Sequence, residues 1–241
     1  MIKTLKKQRC IALLLDPENY GPEDTGQLAE AEPGSRPDFI FIGGSLTSVH
    51  PGELAGKIKE VTDIPLVLFP GNLLQLTDRA DSILLLSLIS GRNPELLIGN
   101  HVLAAPHLRK MNARIIPTGY ILINCGVKTS VEYMSQTDAI PSAKTDIAVA
   151  TAMAGEMLGL KLIYLEAGSG AAHPVPEAMI RAVRQAISVP LIVGGGIRTP
   201  HQAREIYDAG ADMLVLGNGY EDNKDLLGET CRVRDSYNIQ P

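Results

Sequence analysis

The sequence predicts a single (β/α)8 (TIM) barrel that covers residues 1–241, and two observations support this prediction. Eight short apolar runs, most of them closed by Gly, Asp, Ser or Pro, alternate with longer helical patterns. Near-continuous apolar strands are typical of a parallel sheet covered on both faces, and eight successive β-then-α units predict a closed barrel. A chain of 241 residues has the length of one such barrel.

The strands are predicted from the apolar runs and from the residues that end them. The first run stops at an Asp-Pro pair and the second at Gly-Gly-Ser, while Pro117 and Gly119 interrupt the fifth. In chain order the predicted strands are Ile11–Leu15, Phe39–Ile42, Leu66–Phe69, Ile83–Ile89, Ile115–Ile123, Leu162–Leu165, Leu191–Val193 and Met213–Leu216.

Four helices are predicted from apolar stripes with helical spacing and from the residues at their ends. Pro in the first turn and Gly just after the last turn are favoured positions, and the fourth pattern has both, with Gly210 after its end. The predicted helices are Glu95–Met111, Asp146–Leu158, Pro176–Ser188 and Thr199–Ala209. The stretch Glu30–Pro37 is predicted to be a surface loop rather than a domain boundary.

The third unit departs from the regular pattern. Only Gly71–Asp81 separates the third and fourth strands, which leaves little room for a crossover helix. We therefore expect a shortened or modified third helix, and an apolar cleft where the barrel wall is thin. By contrast, Asn124–Thr145 is a long polar excursion after the fifth strand.

Composition excludes several classes of protein. The formal charge is −5 and the basic residues are scattered, so we expect no nucleic-acid partner. No apolar run approaches the roughly 20 residues of a membrane helix, so we expect no membrane span. Three widely spaced cysteines, without a metal-binding pattern, indicate reduced thiols and a cytoplasmic location. We also expect a homo-oligomer that pairs through apolar helix faces.

Two glycine-rich turns predict a phosphate site. Gly194-Gly195-Gly196 follows the seventh strand, and Gly217-Asn218 follows the eighth. Glycines allow backbone N–H groups to approach a phosphate, and these two neighbouring turns form the usual phosphate site of such barrels. Each turn alone would be explained equally well as a tight connection.

Acidic and hydroxyl side chains at other strand ends are candidates for chemistry. Glu166 ends the sixth strand, and alternation directs Tyr164 to the same side. Glu166 would then act on a hydroxyl-bearing substrate, unless it is a structural cap. Asp16 and Ser45 end the first and second strands and would supply oxygen ligands to Mg²⁺, unless Asp16 only starts a turn.

The histidines offer weaker candidates. His101 and His107 are predicted to lie on the solvated helix surface, and His173 is a candidate only for the rim of the site. His50 and His201 have no Ser or Asp partner in the pattern of a catalytic triad. Neither a Ser-His-Asp nor a Cys-His site is therefore predicted.

Six motifs together resemble a known family. They are Leu13-Leu14-Leu15-Asp16-Pro17, Gly43-Gly44-Ser45, Leu68-Phe69-Pro70-Gly71, Leu86–Pro94, Tyr164–Gly170 and Val193–Ile197. In this order, across residues 11–230, they resemble the geranylgeranylglyceryl phosphate synthases, with the heptaprenylglyceryl phosphate synthases as relatives. The resemblance implies a Mg²⁺-dependent prenyltransferase of phospholipid biosynthesis. Such an enzyme joins a prenyl diphosphate, here most simply geranylgeranyl diphosphate, to the primary hydroxyl of sn-glycerol 1-phosphate and releases diphosphate.

The resemblance also implies roles for individual residues. Asp16 and Ser45 correspond to the magnesium ligands, and Glu166 to the catalytic group that activates the glycerol hydroxyl. The residues that correspond to the glycerol-phosphate site are Tyr164, Leu165, Glu166, Ala167, Gly168, Ser169, Gly170, Gly195, Gly196, Gly217 and Asn218.

Three departures from the family pattern leave questions open. Leu14 stands where one branch has Lys, and Asn19-Tyr20 where many members have Asp-Lys. The stretch Ala139–Thr145 is less basic than in relatives, with Lys144 as its cation. Whether Lys144 contacts the diphosphate, and which prenyl length is accepted, stay open.

Two other functions are compatible with the residues alone. A phosphosugar isomerase or lyase could use the same phosphate-binding barrel, because a fold does not determine a reaction. It would need a second acid or base facing Glu166. A catalytically silent protein could instead bind a prenyl phosphate and form no product.

Overall fold

In the computed structural model, which describes residues 1–21, 25–26, 33–45 and 47–238, eight parallel strands close into a barrel. Strand β1 pairs with β2 and β9, and pairing between β4 and β5 closes the ring. The short strand β6 pairs only with the end of β5. The strands are β1 Cys10–Leu15, β2 Phe39–Ile42, β3 Leu66–Leu68, β4 Ser82–Leu88, β5 Arg114–Asn124, β6 Ile140–Pro141, β7 Leu162–Glu166, β8 Leu191–Gly194 and β9 Met213–Leu216. The predicted barrel is confirmed.

Helices cover the outside of the barrel. They are α1 Ile2–Leu5, α2 Gly52–Val61, α3 Asn100–Leu108, α4 Ser130–Ser135, α5 Thr145–Met157, α6 Glu177–Ala186, α7 Pro200–Asp208, α8 Asn218–Asp222 and α9 Asp225–Asn238. Helix α3 continues a π-helical turn, Glu95–Gly99. A capping box between Thr199 and Gln202 begins α7. Helices α1, α2, α4, α8 and α9 lie outside the predicted set. Of these, α1, α4 and α8 are short, and internal glycines weaken the sequence signal of α2 and α9.

The expected modification of the third unit is confirmed. Between β3 and β4 the chain forms only a 3₁₀ turn, Leu73–Gln75, which Asn72 caps through a 2.9 Å hydrogen bond from the Leu74 N–H. The buried Gln75 side chain donates to the Gly44 carbonyl at 2.8 Å and accepts from the Gly71 N–H at 3.0 Å. These hydrogen bonds hold the turn in place. Because the turn takes the place of a helix, one side of the barrel wall is left uncovered.

The core has an inner and an outer layer. Alternate strand residues such as Phe41, Tyr164 and Ile192 fill the barrel interior. Their neighbours along the strands, such as Ile40 and Leu165, pack against the surrounding helices. Within the described ranges no helix has the length and apolarity needed to cross a membrane. The predicted loop Glu30–Pro37 lies partly outside those ranges, and its described part contains a 3₁₀ turn, Pro33–Ser35.

Candidate active site

A polar cavity of about 200 Å³ opens at the carboxyl ends of the barrel strands. This is the end at which barrels of this class place their reacting groups. Most of the predicted site residues line it together: Asp16, Ser45, Tyr164, Glu166, Ser169, Gly170, Gly195, Gly196, Gly217 and Asn218.

Glu166 is the most deeply buried carboxylate of the cavity, with 6% of its surface exposed. Burial raises its pKa above the ordinary value for a glutamate. The Gly168 N–H opposes this rise in pKa, because it donates a 2.7 Å hydrogen bond to Oε1 of Glu166. A carboxylate with a raised pKa and a lone pair directed at a substrate cavity is suited to accept a proton.

An aromatic cluster forms the wall beside Glu166. Tyr164 stacks on Phe69 with ring centres 5.5 Å apart, and Tyr120 meets Tyr164 edge-on at 5.3 Å. The Tyr164 hydroxyl is buried beside the Glu166 carboxylate, and this polar contact opposes the rise in the pKa of Glu166. Sequence reasoning missed Tyr120, although alternation along β5 would have directed it inward.

Backbone geometry explains the glycines that follow β8. Gly195 and Gly196 have φ angles of +81° and +70°, a region that favours glycine. A Cβ on Gly196 would lie 2.4 Å from the carbonyl oxygen of His173. The loop after β7 therefore packs directly against the loop after β8, and no space is left for a side chain at position 196.

Asn218 joins the loops that follow β7 and β9. Its Oδ1 atom accepts hydrogen bonds from the Ser169 hydroxyl at 2.8 Å and from the Gly170 N–H at 3.2 Å. Arg198, which sequence reasoning missed, also lines the cavity and donates to the Ala171 carbonyl at 3.0 Å. Its position after the glycine-rich turn was the signal that could have found it. These contacts hold the three loops that would surround a phosphate.

Asp16, which follows β1, also lines the cavity. Burial raises its pKa, the Glu18 N–H opposes the rise, and the charges of Glu221 and Glu18 add to it. A Cβ on Gly44 would lie 2.4 Å from Oδ2 of Asp16, so the backbone just before Ser45 packs against this carboxylate. One carboxylate and one hydroxyl are a donor set that suits Mg²⁺, which takes few protein ligands beside phosphate oxygens. Across the described residues no group of three or more His, Cys, Asp or Glu side chains could hold a metal alone.

An apolar groove of about 310 Å³ begins where the polar cavity ends. It runs between the 3₁₀ turn of the third unit and α3, as the thinned wall predicts. The side chains along it are mainly leucines: Leu73, Leu76, Leu84, Leu85, Leu86, Leu88, Leu96 and Leu108. The residues shared by the groove and the polar cavity are Gly44, Ser45, Phe69, Tyr120 and Val131.

Some predicted residues lie elsewhere. The side chain of Leu165 packs in the outer core, and Ala167 is fully buried outside the cavity lining. Gly168 acts through its N–H bond to Glu166. Lys144 is exposed and does not line either cavity.

The prediction that His101 lies on the solvated surface is wrong. Its ring is half-buried at the apolar groove, Nε2 lies 3.0 Å from the Ser87 hydroxyl, and burial lowers its pKa. The π-helical turn that precedes α3 adds a residue to one turn and so rotates the side chains that follow. His107 is exposed, as predicted, and the exposed His173 lies at the rim of the loops.

Comparisons with known proteins agree with this geometry. Residues 3–233 match the PcrB family. The geranylgeranylglyceryl phosphate synthase of Spirosoma linguale is 48% identical over 235 residues, 97% of this chain and 94% of that protein. The protein of the same name from Chitinophaga pinensis is 49% identical, over 92% of this chain and 88% of that protein.

A solved structure shares the whole architecture. The (S)-3-O-geranylgeranylglyceryl phosphate synthase of Thermoplasma acidophilum, crystallised with its substrate sn-glycerol-1-phosphate, superimposes with a TM-score of 0.90. It is 32% identical, and the match covers 98% of this chain and 96% of that one.

Proposed function

Because the chain belongs to the PcrB family, we propose that it joins a prenyl diphosphate to sn-glycerol 1-phosphate. The products are a prenylglyceryl phosphate ether and diphosphate. The chain is a prenyltransferase of ether-lipid biosynthesis, and geranylgeranyl diphosphate is the prenyl donor we propose for it.

One observation supports this function above the others: a polar cavity and an apolar groove share a wall. A prenyl diphosphate is an apolar chain with a strongly charged head, and it fits a groove that ends at a polar site. At the shared wall Ser45, Phe69 and Tyr120 would surround the carbon that reacts. Attack from the polar side would then form the ether bond.

The glycerol phosphate would occupy the polar cavity. Its phosphate would bind the backbone N–H groups around Gly195, Gly196 and Gly217. Such N–H groups bind a dianion more strongly than a neutral group. Ser169 and Asn218 would complete this site from the neighbouring loops. The primary hydroxyl would then point toward Glu166 and Tyr164.

The proposed reaction transfers the prenyl group in one balanced step. The oxygen of the glycerol primary hydroxyl forms a bond to the terminal allylic carbon, while the bond from that carbon to the diphosphate oxygen breaks. Diphosphate leaves with the bonding electron pair. The hydroxyl proton passes to the carboxylate of Glu166. Its raised pKa makes Glu166 a stronger base than an ordinary glutamate.

The negative charge on the leaving diphosphate would be neutralised by a cation bound at Asp16 and Ser45. Within the described ranges no Lys or Arg side chain lines the wall shared by the two cavities. Asp16 and Ser45 would therefore hold Mg²⁺, which supplies charge stabilisation to the departing oxygen when bound. The protein itself orients the hydroxyl, excludes water with the Phe69–Tyr120–Tyr164 cluster and accepts the proton.

The alternative functions receive less support. A phosphosugar isomerase or lyase would need a second acid or base opposite Glu166. The titratable side chains that interact with its charge include Tyr164, Tyr120 and Cys125, and burial raises the pKa of the Cys125 thiol to about 12. Burial raises the pKa of both tyrosines well above the ordinary value. A silent prenyl-phosphate binder would have no use for a buried carboxylate at the hydroxyl position.

We further propose that the chain forms a homo-oligomer and works in the cytoplasm. Ile98, Val102 and Leu103 are 60–68% exposed on and just before α3, a face that a second copy of the chain would cover. All three cysteines are free and buried, as expected for reduced thiols. Sedimentation analysis of the wild type and of Val102→Glu tests the first point, since a charge there should give monomers.

A single incubation tests the proposed function. The purified chain, Mg²⁺, radiolabelled sn-glycerol 1-phosphate and geranylgeranyl diphosphate should yield a labelled product that enters butanol. Label that remains in water while geranylgeranyl diphosphate binds would indicate a silent binder. Conversion of the glycerol phosphate without the prenyl donor would indicate an isomerase or lyase.

A further inference from the structure

The carboxylate of Glu221 lies between two asparagine side chains at the edge of the polar cavity. Its Oε1 atom accepts a hydrogen bond from Nδ2 of Asn19, and its Oε2 atom accepts one from Nδ2 of Asn218, both at 3.1 Å. Glu221 is half-buried on α8, the short helix that follows β9. It lies outside every set of residues predicted from the sequence.

The contact with Glu221 fixes which way the Asn218 amide faces. A carboxylate accepts hydrogen bonds and cannot donate them, so it faces the NH₂ group of Asn218. The amide oxygen is then left to accept from the Ser169 hydroxyl and the Gly170 N–H. Glu221 therefore orients a side chain that organises the loop after β7, although it does not touch that loop itself.

The second contact extends the same network to the loop after β1. The N–H groups of Asn19 and Tyr20 donate to the Asp16 carbonyl at 2.9 and 3.0 Å, so Asn19 belongs to the turn that begins at Asp16. Lys224 provides a parallel link, because its ammonium donates to the Tyr20 hydroxyl at 2.7 Å. The two loops would thus stay joined if Glu221 lost one of its contacts.

We propose that Glu221 is a positioning residue for binding of glycerol phosphate, an inference that rests on the proposed function. Its two hydrogen bonds hold Asn218 in one orientation and fasten the loop of Asp16 to the loop of Asn218. The phosphate-binding loops are consequently ordered before the substrate arrives, and less binding free energy is lost in ordering them. Glu221 takes no part in the transfer of the prenyl group or the proton.

Glu221→Gln tests this role with little change in size. Asn19 and Asn218 donate to different oxygens of Glu221, and a glutamine places a donor NH₂ at one of these two positions, so one of the hydrogen bonds is lost. We expect the Kd for sn-glycerol 1-phosphate, measured by calorimetry, to rise by about tenfold, the effect of losing a hydrogen bond to a charged group. KM should rise in parallel, while kcat at saturation stays within about threefold of the wild type.

Asp222→Asn is the matched control. It removes the same charge from the next residue of α8, which is exposed, and it should leave the Kd within about twofold of the wild type. An equal loss of affinity in both variants would assign the effect to net charge and overturn the proposal. So would an unchanged Kd in Glu221→Gln.

A double-mutant cycle tests whether Glu221 acts through Asn218. Ser169→Ala should weaken binding less in the Glu221→Gln background than in the wild type, because the misoriented amide no longer accepts from Ser169. Strictly additive losses would overturn the proposed route. If Glu221→Gln is too unstable to assay, the double variant Asn19→Ala/Tyr20→Phe removes both links between the two loops, and an unchanged Kd there also overturns the proposal. A wild-type chain that does not bind sn-glycerol 1-phosphate would contradict the proposed function itself.

Discussion

Gly195 and Glu166 are in such close contact that a Cβ on the glycine would lie 2.4 Å from Oε1 of the glutamate. Glu166 ends β7, Gly195 directly follows the neighbouring strand β8, and the φ angle of Gly195 is +81°. The catalytic carboxylate that we propose and the phosphate-binding turn that we propose are therefore one packed unit. A change at the turn should alter the position of the base.

Gly195→Ala tests this contact. The methyl group would displace Glu166 or the turn itself, so we expect the affinity for sn-glycerol 1-phosphate to fall by at least about tenfold in calorimetry. Gly159→Ala is a matched control, because Gly159 also has a positive φ, +90°, but open space around its Cβ position. Both variants should lose about 1 kcal/mol of stability from backbone strain. If they bind the substrate equally well, the phosphate lies away from Gly195.

Asp16→Asn should abolish most activity and leave the fold intact. In the wild type the Glu18 N–H donates to Oδ1 of Asp16 at 3.0 Å. Asparagine keeps an oxygen for this hydrogen bond, but it lacks the charge that attracts a cation. We expect kcat to fall by about 10²-fold or more and Mn²⁺ binding, followed by electron paramagnetic resonance, to weaken strongly. Glu18→Gln, at an exposed position of the same turn, is the control for loss of a negative charge. Wild-type Mn²⁺ affinity in Asp16→Asn would place the metal at other residues.

Most of the fold could be predicted from the sequence, because the patterns that indicate its strands are local. Apolar runs and their Gly or Pro ends mark all eight barrel strands, and the short spacing before Ser82 predicts the missing helix. Alternation placed Tyr164 and Glu166 on one side of β7, which the structure confirms. The same rule, applied to β5, would have directed Tyr120 into the barrel, where the strand register sets it beside Tyr164.

The remaining features depend on contacts between distant parts of the chain. Asn19 and Glu221 are 202 residues apart, and only closure of β1 against β9 brings them together. The environment of His101 depends on a π-helical turn that no simple periodicity indicates. Spacing alone predicts neither kind of contact.

The apolar groove should set the length of the prenyl chain that the enzyme accepts. Ala104 lies on α3 in the groove lining and is 3% exposed, so Ala104→Phe would fill part of the groove. We expect the ratio of kcat/KM for farnesyl over geranylgeranyl diphosphate to rise by about tenfold or more, since a blocked trough excludes the longer chain. Ala105→Phe, at the exposed next position, is the control. An unchanged ratio in Ala104→Phe would remove the prenyl chain from this groove.

Glu166→Gln should separate catalysis from binding and from stability. Glutamine keeps an oxygen for the Gly168 N–H but loses the basicity, so we expect kcat to fall by about 10²–10⁴-fold and the Kd for sn-glycerol 1-phosphate to change little. The wild-type rate should also fall at low pH through a pKa above the ordinary value of 4.5, because protonated Glu166 is no base.

The stability of the same variant has a predictable sign. A carboxyl group whose pKa is raised in the folded state binds more protons there than in the unfolded chain, so the free energy of unfolding decreases as pH rises from about 4.5 through the raised value. Glu166→Gln removes that loss. Its Tm should therefore exceed the wild-type Tm at pH 8, and the difference should shrink as pH falls toward 4.5. Scanning calorimetry across this range measures both effects. A variant with a lower Tm at pH 8 would show that the ionised carboxylate stabilises the barrel, and a kcat within about threefold of the wild type would exclude Glu166 as the base.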